Sequence, residues 1–177
     1  MLCALVLTAQ AAPLGLAAAP GGGLRFEIAT SAGEVRGTAS EFTATLDPEA
    51  GSGRLAVAAT SLSTGNGPRD QRLLVFALEV ARFPEITFTA SRVEGSTDAL
   101  AAGSGTGALR LVGQLVVRDV TAAAVVHATF AWEGQVLRLR GHHDLSWSAF
   151  GMPDPSVLLA RVGPTARVSF DLEGERP

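Results

Sequence analysis

Alternation of apolar and polar residues with a period of two runs through most of this 177-residue chain. In EITFTASRVE (85–94), for example, Ile86, Phe88 and Ala90 are separated by threonines. Successive side chains of a β-strand point to opposite faces, so the pattern predicts strands that bury one face and expose the other. About eight segments show it: 24–30, 41–47, 54–62, 85–94, 108–119, 124–132, 135–147 and 165–173.

Short turn-forming segments connect most of these strands, and they are too short for the crossovers that parallel strands need. An antiparallel sheet with one apolar face is typical of a sandwich or a closed barrel. The lumen of an eight-stranded barrel is either filled by side chains or holds one small ligand, and both fit the mixture of bulky and small inward residues. The bulky inward residues, which are the candidate ligand-binding residues, are Phe26, Ile28, Ile86, Phe88, Leu109, Leu111, Phe130 and Trp132.

One segment breaks the alternation, TGNGPRDQRLLVFALEVARFP (64–84). It opens with a turn, and Asp70 is placed to cap a helix and to put its charge at the positive N-terminal end. The apolar residues from Leu73 to Val80 follow helical spacing, and Pro84 cannot continue a helix. We therefore predict one short helix laid across the barrel. The segment 96–107 is predicted to be a loop.

The first twenty residues, MLCALVLTAQAAPLGLAAAP, are apolar and uncharged, as in the hydrophobic region of a secretory signal peptide. Two A-x-A cleavage sites end at Ala11 and Ala19. The sequence predicts a signal peptide over residues 1–20, a joint at PGGG (20–23) and a mature domain over residues 21–177. The predicted location is periplasmic or secreted. Cleavage would remove the single cysteine of the chain.

Charge and histidine placement argue against several classes of function. The net charge is −3, whereas proteins that bind nucleic acids carry a basic surface. His142 and His143 are neighbours on a predicted strand and point to opposite faces, so they cannot readily share a metal ion. The His, Asp and Ser of HHDLSWS (142–148) lack a nucleophile-elbow motif. We predict no metal, no cofactor, no catalytic residue and no nucleic-acid partner.

The segment 64–88 resembles the signature of the YceI-like family of extracytoplasmic lipid-binding proteins. That signature is T-G-N, two variable residues, R-D, an apolar helical segment, an aromatic-proline pair and I-x-F. The matching residues are Thr64, Gly65, Asn66, Arg69, Asp70, Phe83, Pro84, Ile86 and Phe88. GEVRGTASEFTATLD (33–47), LVGQLVVRDVTAAAVV (111–126) and SWSAFGM (146–152) resemble further elements of the family, so the likeness extends over residues 24–173.

The resemblance implies a lipocalin-like, eight-stranded antiparallel β-barrel with one short helix between strands. Its lumen would hold an isoprenoid or another long-chain lipid. The motif residues are Asn66, Arg69, Asp70 and Pro84. Two roles are open for Arg69 and Asp70: contact with a polar ligand head, or a structural role in which Asp70 caps the helix and Arg69 ties down the turn. A second function hypothesis is a packed structural or interaction barrel whose apolar helix docks on a partner or a membrane surface.

Overall fold

The computed structural model describes residues 12–154, 156 and 161–176. The strands are β1 Leu14–Thr30, β2 Gly33–Ala39, β3 Phe42–Asp47, β4 Ser52–Ala58, β5 Leu62–Ser63, β6 Glu85–Gly95, β7 Thr106–Val117, β8 Val120–Glu133, β9 Val136–Ser146 and β10 Val162–Glu175. The helices are α1 Gly67–Gln71, which continues as a π-helical segment Arg72–Ala77, and α2 Thr97–Ala102. Short 3₁₀ turns cover Ala59–Ser61 and Ser148–Phe150.

The sheet closes on itself as a barrel. Antiparallel ladders join β1, β10, β9, β8, β7, β6, β4 and β3 in that order, and β3 pairs back with β1. Both β2 and β3 pair with β1 and are separated only by Ser40 and Glu41, so they form two halves of one barrel strand. Likewise β4 pairs with β3, and β5 pairs with β2. The barrel therefore has eight strand positions, which confirms the predicted fold.

Strand β2 was not predicted, because its residues do not alternate between bulky apolar and polar types. Its buried Gly37 lies opposite Phe26 of β1. A Cβ atom on Gly37 would lie 2.1 Å from Cζ of Phe26, so the phenyl ring occupies the space that a side chain would need. The apolar group at this point of the core is thus supplied by the partner strand.

The helix α2 lies within the segment 96–107, so the prediction of a loop there was wrong for its first half. Leu100 of α2 is fully buried and belongs to the main core cluster. The guanidinium of Arg176 donates a hydrogen bond to the carbonyl of Ala101 at 2.7 Å, which ties the helix to the end of β10. The helix α2 thus covers one end of the barrel, which we call the closed end.

The described part of the chain already forms β1 at Leu14. Leu14 and Leu16 are buried and pair with β3. The boundary predicted between residues 20 and 21 therefore falls inside a strand, while residues 1–11, with the cysteine and the cleavage site at Ala11, lie outside the described residues. The domain boundary stays a prediction.

The PGGG segment (20–23), which the sequence predicts as a joint between the signal peptide and the mature domain, lies inside β1 as a bulge. Along the ladder of β1 with β10, the register passes from Ala18 opposite Leu172 directly to Gly23 opposite Asp171. The residues between Ala18 and Gly23 have no partner in β10. Glycine suits such a bulge because Gly21 and Gly23 adopt φ angles of 68° and 109°.

The other end of the barrel is covered by the segment 67–83, which we call the lid. It contains α1 and the π-helical segment, and it lies between β5 and β6. Leu73, Leu74 and Val80 pack against the main core cluster. The helices among the described residues fall short of the roughly 20 apolar residues that a membrane-spanning helix needs.

Candidate functional site

The barrel contains an apolar cavity of about 190 Å³. It lies between the main core cluster and a small cluster built on Leu24, Ala39 and Val57. Leu73 and Leu78 of the lid also line it. An engineered protein cavity of about 150 Å³ is enough to bind benzene, so this space can accept part of an apolar molecule.

Five of the eight candidate ligand-binding residues line the cavity: Phe26, Ile28, Ile86, Phe88 and Leu111. The other three, Leu109, Phe130 and Trp132, are buried elsewhere, in the main core cluster with Leu100 and Leu137. Their inward orientation was predicted correctly, but they lie at the closed end, where α2 completes the packing. Alternation within a strand reports which face a residue occupies and carries no information on its depth along the barrel axis.

Several lining residues were missed by the sequence analysis. Leu55, Leu115, Val126 and Leu145 lie on strands, where the same alternation could have found them. A further group belongs to the lid and to the SWSAFGM segment: Leu73, Leu78, Trp147 and Met152. The indole nitrogen of Trp147 donates a hydrogen bond to the carbonyl of Gly163 at 2.8 Å, which fixes the ring at the lid end of the cavity. Residues outside the strands follow no period-two pattern, so the sequence alone could not identify these four as part of the cavity lining.

The wall of the barrel is incompletely paired on one side. β1 pairs with β3 only over Leu14–Leu16 and with β2 only over Leu24–Thr30, so residues 17–23 have no partner in either strand. Arg25 and Arg54, which occupy outward positions on their strands, nevertheless line the cavity. Because the surface of the cavity is almost wholly apolar, the guanidinium groups of these two residues contribute almost nothing to it.

The motif residues at the start of the lid are structural, and their roles differ from those predicted. Asn66 is the N-cap of α1, because its side chain accepts a hydrogen bond from the backbone N–H of Arg69 at 3.1 Å. The carboxylate of Asp70 ties down the turn that precedes the helix. It accepts hydrogen bonds from the Thr64 N–H at 2.8 Å, the Thr64 hydroxyl at 2.6 Å and the Ser63 hydroxyl at 2.8 Å.

The remaining motif positions lie at the two ends of the lid. The side chain of Arg69 is exposed and forms no hydrogen bond or ion pair with the described residues. Pro84 ends the lid, and its carbonyl accepts a hydrogen bond from the N–H of Ala59 at 2.8 Å. None of the four motif residues lines the cavity, so the geometry favours the structural role for Arg69 and Asp70 over contact with a ligand head.

The environment of Asp70 lowers its pKa. Partial burial raises the pKa, but hydrogen bonds from Thr64 and Ser63, together with the charge of Arg69, outweigh that effect. A carboxyl whose folded-state pKa lies below its unfolded-state value stabilises the fold above the unfolded pKa, near 3.9. That contribution is lost as the pH falls through the lower, folded-state pKa.

We expect Asp70→Ala to lower the free energy of unfolding by about 1–3 kcal/mol at pH 7, because it leaves the partly buried Thr64 N–H without an acceptor. Urea unfolding of the wild type and the variant at pH 7 and near pH 3 measures this. The difference between the two proteins should shrink at the acidic pH. A difference that is equal at both pH values would contradict the assignment of Asp70 to the turn.

Polar contacts of Arg118 and Glu79, which we call the latch, hold the lid to the barrel rim. Arg118, in the turn between β7 and β8, donates hydrogen bonds to the carboxylate of Glu79 in the lid and to the carbonyl of Gly151. Glu79 also accepts from Arg82 at 2.7 Å. The guanidinium of Arg118 lies 5.8 Å from the ring centroid of Phe83, so it contacts the lid at a second point.

The two main residues of this latch carry unusual backbone angles. In the described part of the chain, Glu79 and Arg118 are the non-glycine residues with positive φ, at 50° and 58°. Such conformations are uncommon for residues with a Cβ atom and persist where the surrounding contacts support them. The sequence analysis did not identify the latch, because neither a left-handed backbone nor a contact between residues 79 and 118 has a local sequence signal.

Comparison with solved structures identifies similar barrels. A polyisoprenoid binding domain from Saccharophagus degradans, implicated in plant cell wall breakdown, superposes with a TM-score of 0.76 at 16% identity, over 93% of this chain and 98% of that one. BcnA of Burkholderia cenocepacia gives a TM-score of 0.67 at 18% identity, over 85% and 95%. The YceI protein of Campylobacter jejuni gives 0.64 at 17% identity, over 81% and 86%. At these identities the likeness concerns the fold.

Comparison of the sequence itself gives the family. A search of curated proteins found no match. The family model described as the YceI-like domain matches residues 21–174, which include the turn, lid and strand of the signature segment. This match covers most of the chain and agrees with the resemblance of the 64–88 segment. The protein therefore belongs to the YceI-like domain family.

Proposed function

We propose that this protein is an extracytoplasmic, non-enzymatic binding protein that holds a long-chain isoprenoid or similar amphiphilic lipid in its barrel. The observation that carries the proposal is the apolar cavity between the two core clusters, closed at one end and covered by the lid at the other. The Saccharophagus domain of similar fold is described as polyisoprenoid binding, which supports the choice of ligand class.

The size of the cavity limits how such a ligand is held. Pockets for drug-sized ligands occupy about 300–1,000 Å³, whereas this cavity measures about 190 Å³. A long chain would therefore need the lid to shift, or would leave part of its length outside the cavity. Affinity should rise with chain length until the enclosed space is filled.

Native mass spectrometry of protein purified from a bacterial host tests the proposal. We expect a population of the folded protein to carry a non-covalent lipid, which organic extraction releases for identification. A protein that stays empty after purification, and after incubation with isoprenoids of graded length, would overturn the proposal.

The docking hypothesis is the second candidate, and one observation favours it. Among the described residues, the large hydrophobic side chains that are exposed are Val75 and Phe76 of the lid, at 52% and 67%. Adjacent exposed apolar residues are common at interaction surfaces. Co-sedimentation with lipid vesicles, compared between the wild type and Val75→Ser/Phe76→Ser, distinguishes docking from binding in the barrel. Docking requires the wild type to sediment and the variant to remain in solution.

Export leads to a prediction about the mature N-terminus. Cleavage after Ala19 would remove Leu14 and Leu16 from the core, whereas cleavage after Ala11 would leave β1 intact. We expect N-terminal sequencing of the protein from its native cell to place the mature start at Ala12. A start at Pro20 would show that the barrel closes without the first third of β1, and an intact Met1 in the cytoplasm would exclude export.

A further inference from the structure

The lid carries apolar side chains on both of its sides. On the inner side, Leu73 and Leu78 line the cavity. On the outer side, Val75 and Phe76 are exposed to solvent. All four residues lie in or next to the π-helical segment, which is only six residues long. The same short segment that closes the cavity therefore presents an adjacent pair of large hydrophobic side chains to the surroundings.

Two arginines precede this apolar pair on the exposed surface of the lid. Arg69 of α1 and Arg72 of the π-helical segment are both exposed, and neither guanidinium forms a hydrogen bond or an ion pair with the described residues. The carboxylates of the lid are engaged elsewhere. Asp70 accepts its hydrogen bonds from the turn before the helix, and Glu79 belongs to the latch. The two arginines are thus available for an anionic partner.

The spacing along the chain brings the arginines and the apolar pair to one side of the lid. Residues three and four positions apart are neighbours on the surface of a helix. Arg72 lies three residues after Arg69, and Val75 and Phe76 lie three and four residues after Arg72. These four exposed residues therefore form one strip, which we call the docking face.

The chemistry of the docking face fits the surface of an anionic lipid bilayer. Apolar side chains of a surface-bound segment enter the boundary between head groups and acyl chains, and basic side chains are attracted to anionic lipids. A guanidinium binds phosphate oxygens with charge-assisted hydrogen bonds. The net charge of the chain is −3, so the remaining surface is repelled and the lid is turned toward the bilayer.

The small size of the docking face argues against a protein as its partner. A stable protein–protein interface buries about 800 Å² on each side and involves roughly 20–30 residues of each partner. The docking face has only four residues, and Val75 and Phe76 are the exposed large hydrophobic side chains of the described residues. A bilayer needs no such complementary area, because a few apolar side chains and basic groups suffice for reversible binding.

We propose that the docking face, formed by Arg69, Arg72, Val75 and Phe76, rests on an anionic lipid bilayer and that the barrel takes up its lipid from that bilayer at the lid end. This inference rests on the proposed lipid-binding function and adds the source of the ligand. Docking and lipid binding are then two steps of one route, because they use opposite sides of the lid.

Co-sedimentation with vesicles of phosphatidylcholine alone, and of phosphatidylcholine mixed with an equal part of phosphatidylglycerol, tests the docking face. The wild type should bind the anionic vesicles more tightly, and high salt should weaken that binding. Arg69→Gln/Arg72→Gln should weaken it about thirtyfold, since each basic residue near an anionic surface contributes about 1 kcal/mol. Val75→Ser/Phe76→Ser should weaken binding to both kinds of vesicle by about tenfold or more.

The matched control is Arg92→Gln/Arg110→Gln. It removes the same charge from two exposed arginines on β6 and β7, outside the lid, and it should sediment like the wild type. The lid variants should also take up geranylgeraniol more slowly from anionic vesicles, followed by Trp147 fluorescence. Their affinity for geranylgeraniol added without vesicles should stay unchanged, which shows in addition that they are folded.

Three outcomes would overturn the docking face alone, provided that geranylgeraniol still binds without vesicles. The first is a wild type that does not sediment with anionic vesicles. The second is sedimentation that the lid variants retain or that the control variant loses equally. The third is a concentration-dependent dimer of the wild type that Val75→Ser/Phe76→Ser abolishes, because the face would then belong to a second copy of the chain. A wild type that binds no geranylgeraniol under either condition would overturn the lipid-binding function as well.

Discussion

Phe130→Ala should lower the free energy of unfolding by about 3–5 kcal/mol, whereas Phe88→Ala should cost less than about 3 kcal/mol and change lipid affinity instead. Both residues are inward phenylalanines on barrel strands, buried to 3% and 9% exposure. Phe130 belongs to the packed core at the closed end, so its removal leaves an empty space. Phe88 lines the existing cavity, so part of its surroundings is already empty.

Urea unfolding of the ligand-free variants measures the stability difference. A titration with isoprenoid alcohols of increasing length measures affinity, followed by the fluorescence of Trp147 in a Trp132→Phe background, because Trp132 lies outside the cavity. A chain that buries about 20 heavy atoms at ~0.3 kcal/mol each gains roughly 6 kcal/mol, a dissociation constant of tens of micromolar. Phe88→Ala should shift the chain length that binds best, and Phe130→Ala should not.

Equal stability losses in the two variants, together with an affinity that does not depend on chain length, would contradict the cavity assignment. That outcome would favour the packed barrel whose exposed lid residues serve as the docking surface. A shift in the preferred chain length in Phe130→Ala alone would instead place the ligand at the closed end of the barrel.

Gly113→Ala is expected to destabilise the barrel by about 3 kcal/mol or more, the upper part of the range for overpacked cores. A Cβ atom at this position would lie 1.9 Å from the carbonyl oxygen of Thr89 and 2.8 Å from Cα of Ala90. Both atoms belong to the backbone of β6, so no change of rotamer can relieve the clash. The strands would have to separate at the pair of Gly113 and Ala90, next to the irregularity at residue 91.

Gly15→Ala provides the matched control on another barrel strand. A Cβ atom on Gly15 would have no atom of the described residues within 4 Å, and the φ of Gly15 is not in the left-handed region. Alanine there should be neutral or stabilising by about 0.5–1 kcal/mol, since it reduces the entropy of the unfolded chain. Urea unfolding and the soluble yield of both variants test the contrast, and equal stability of Gly113→Ala and the wild type would contradict the close approach of β6 and β7.

The barrel and the position of the lid both follow from local patterns in the sequence. Period-two alternation requires one face of each strand to be buried, and eight antiparallel strands with short turns satisfy this requirement when the sheet closes. The helical spacing after Leu73 and the proline at position 84 likewise bound the lid through local chemistry. These features depend on residues close together in the chain, so they could be predicted.

Whether an inward residue lines the cavity or fills the packed core depends on the tertiary structure. Phe88 and Phe130 have the same pattern on their strands, yet one lines the cavity and the other packs beneath α2. Depth along the barrel axis depends on the register between strands and on the segment that closes each end, which no single strand encodes. The contact between Glu79 and Arg118 arises in the same way, because it joins residues that only the closed barrel brings together.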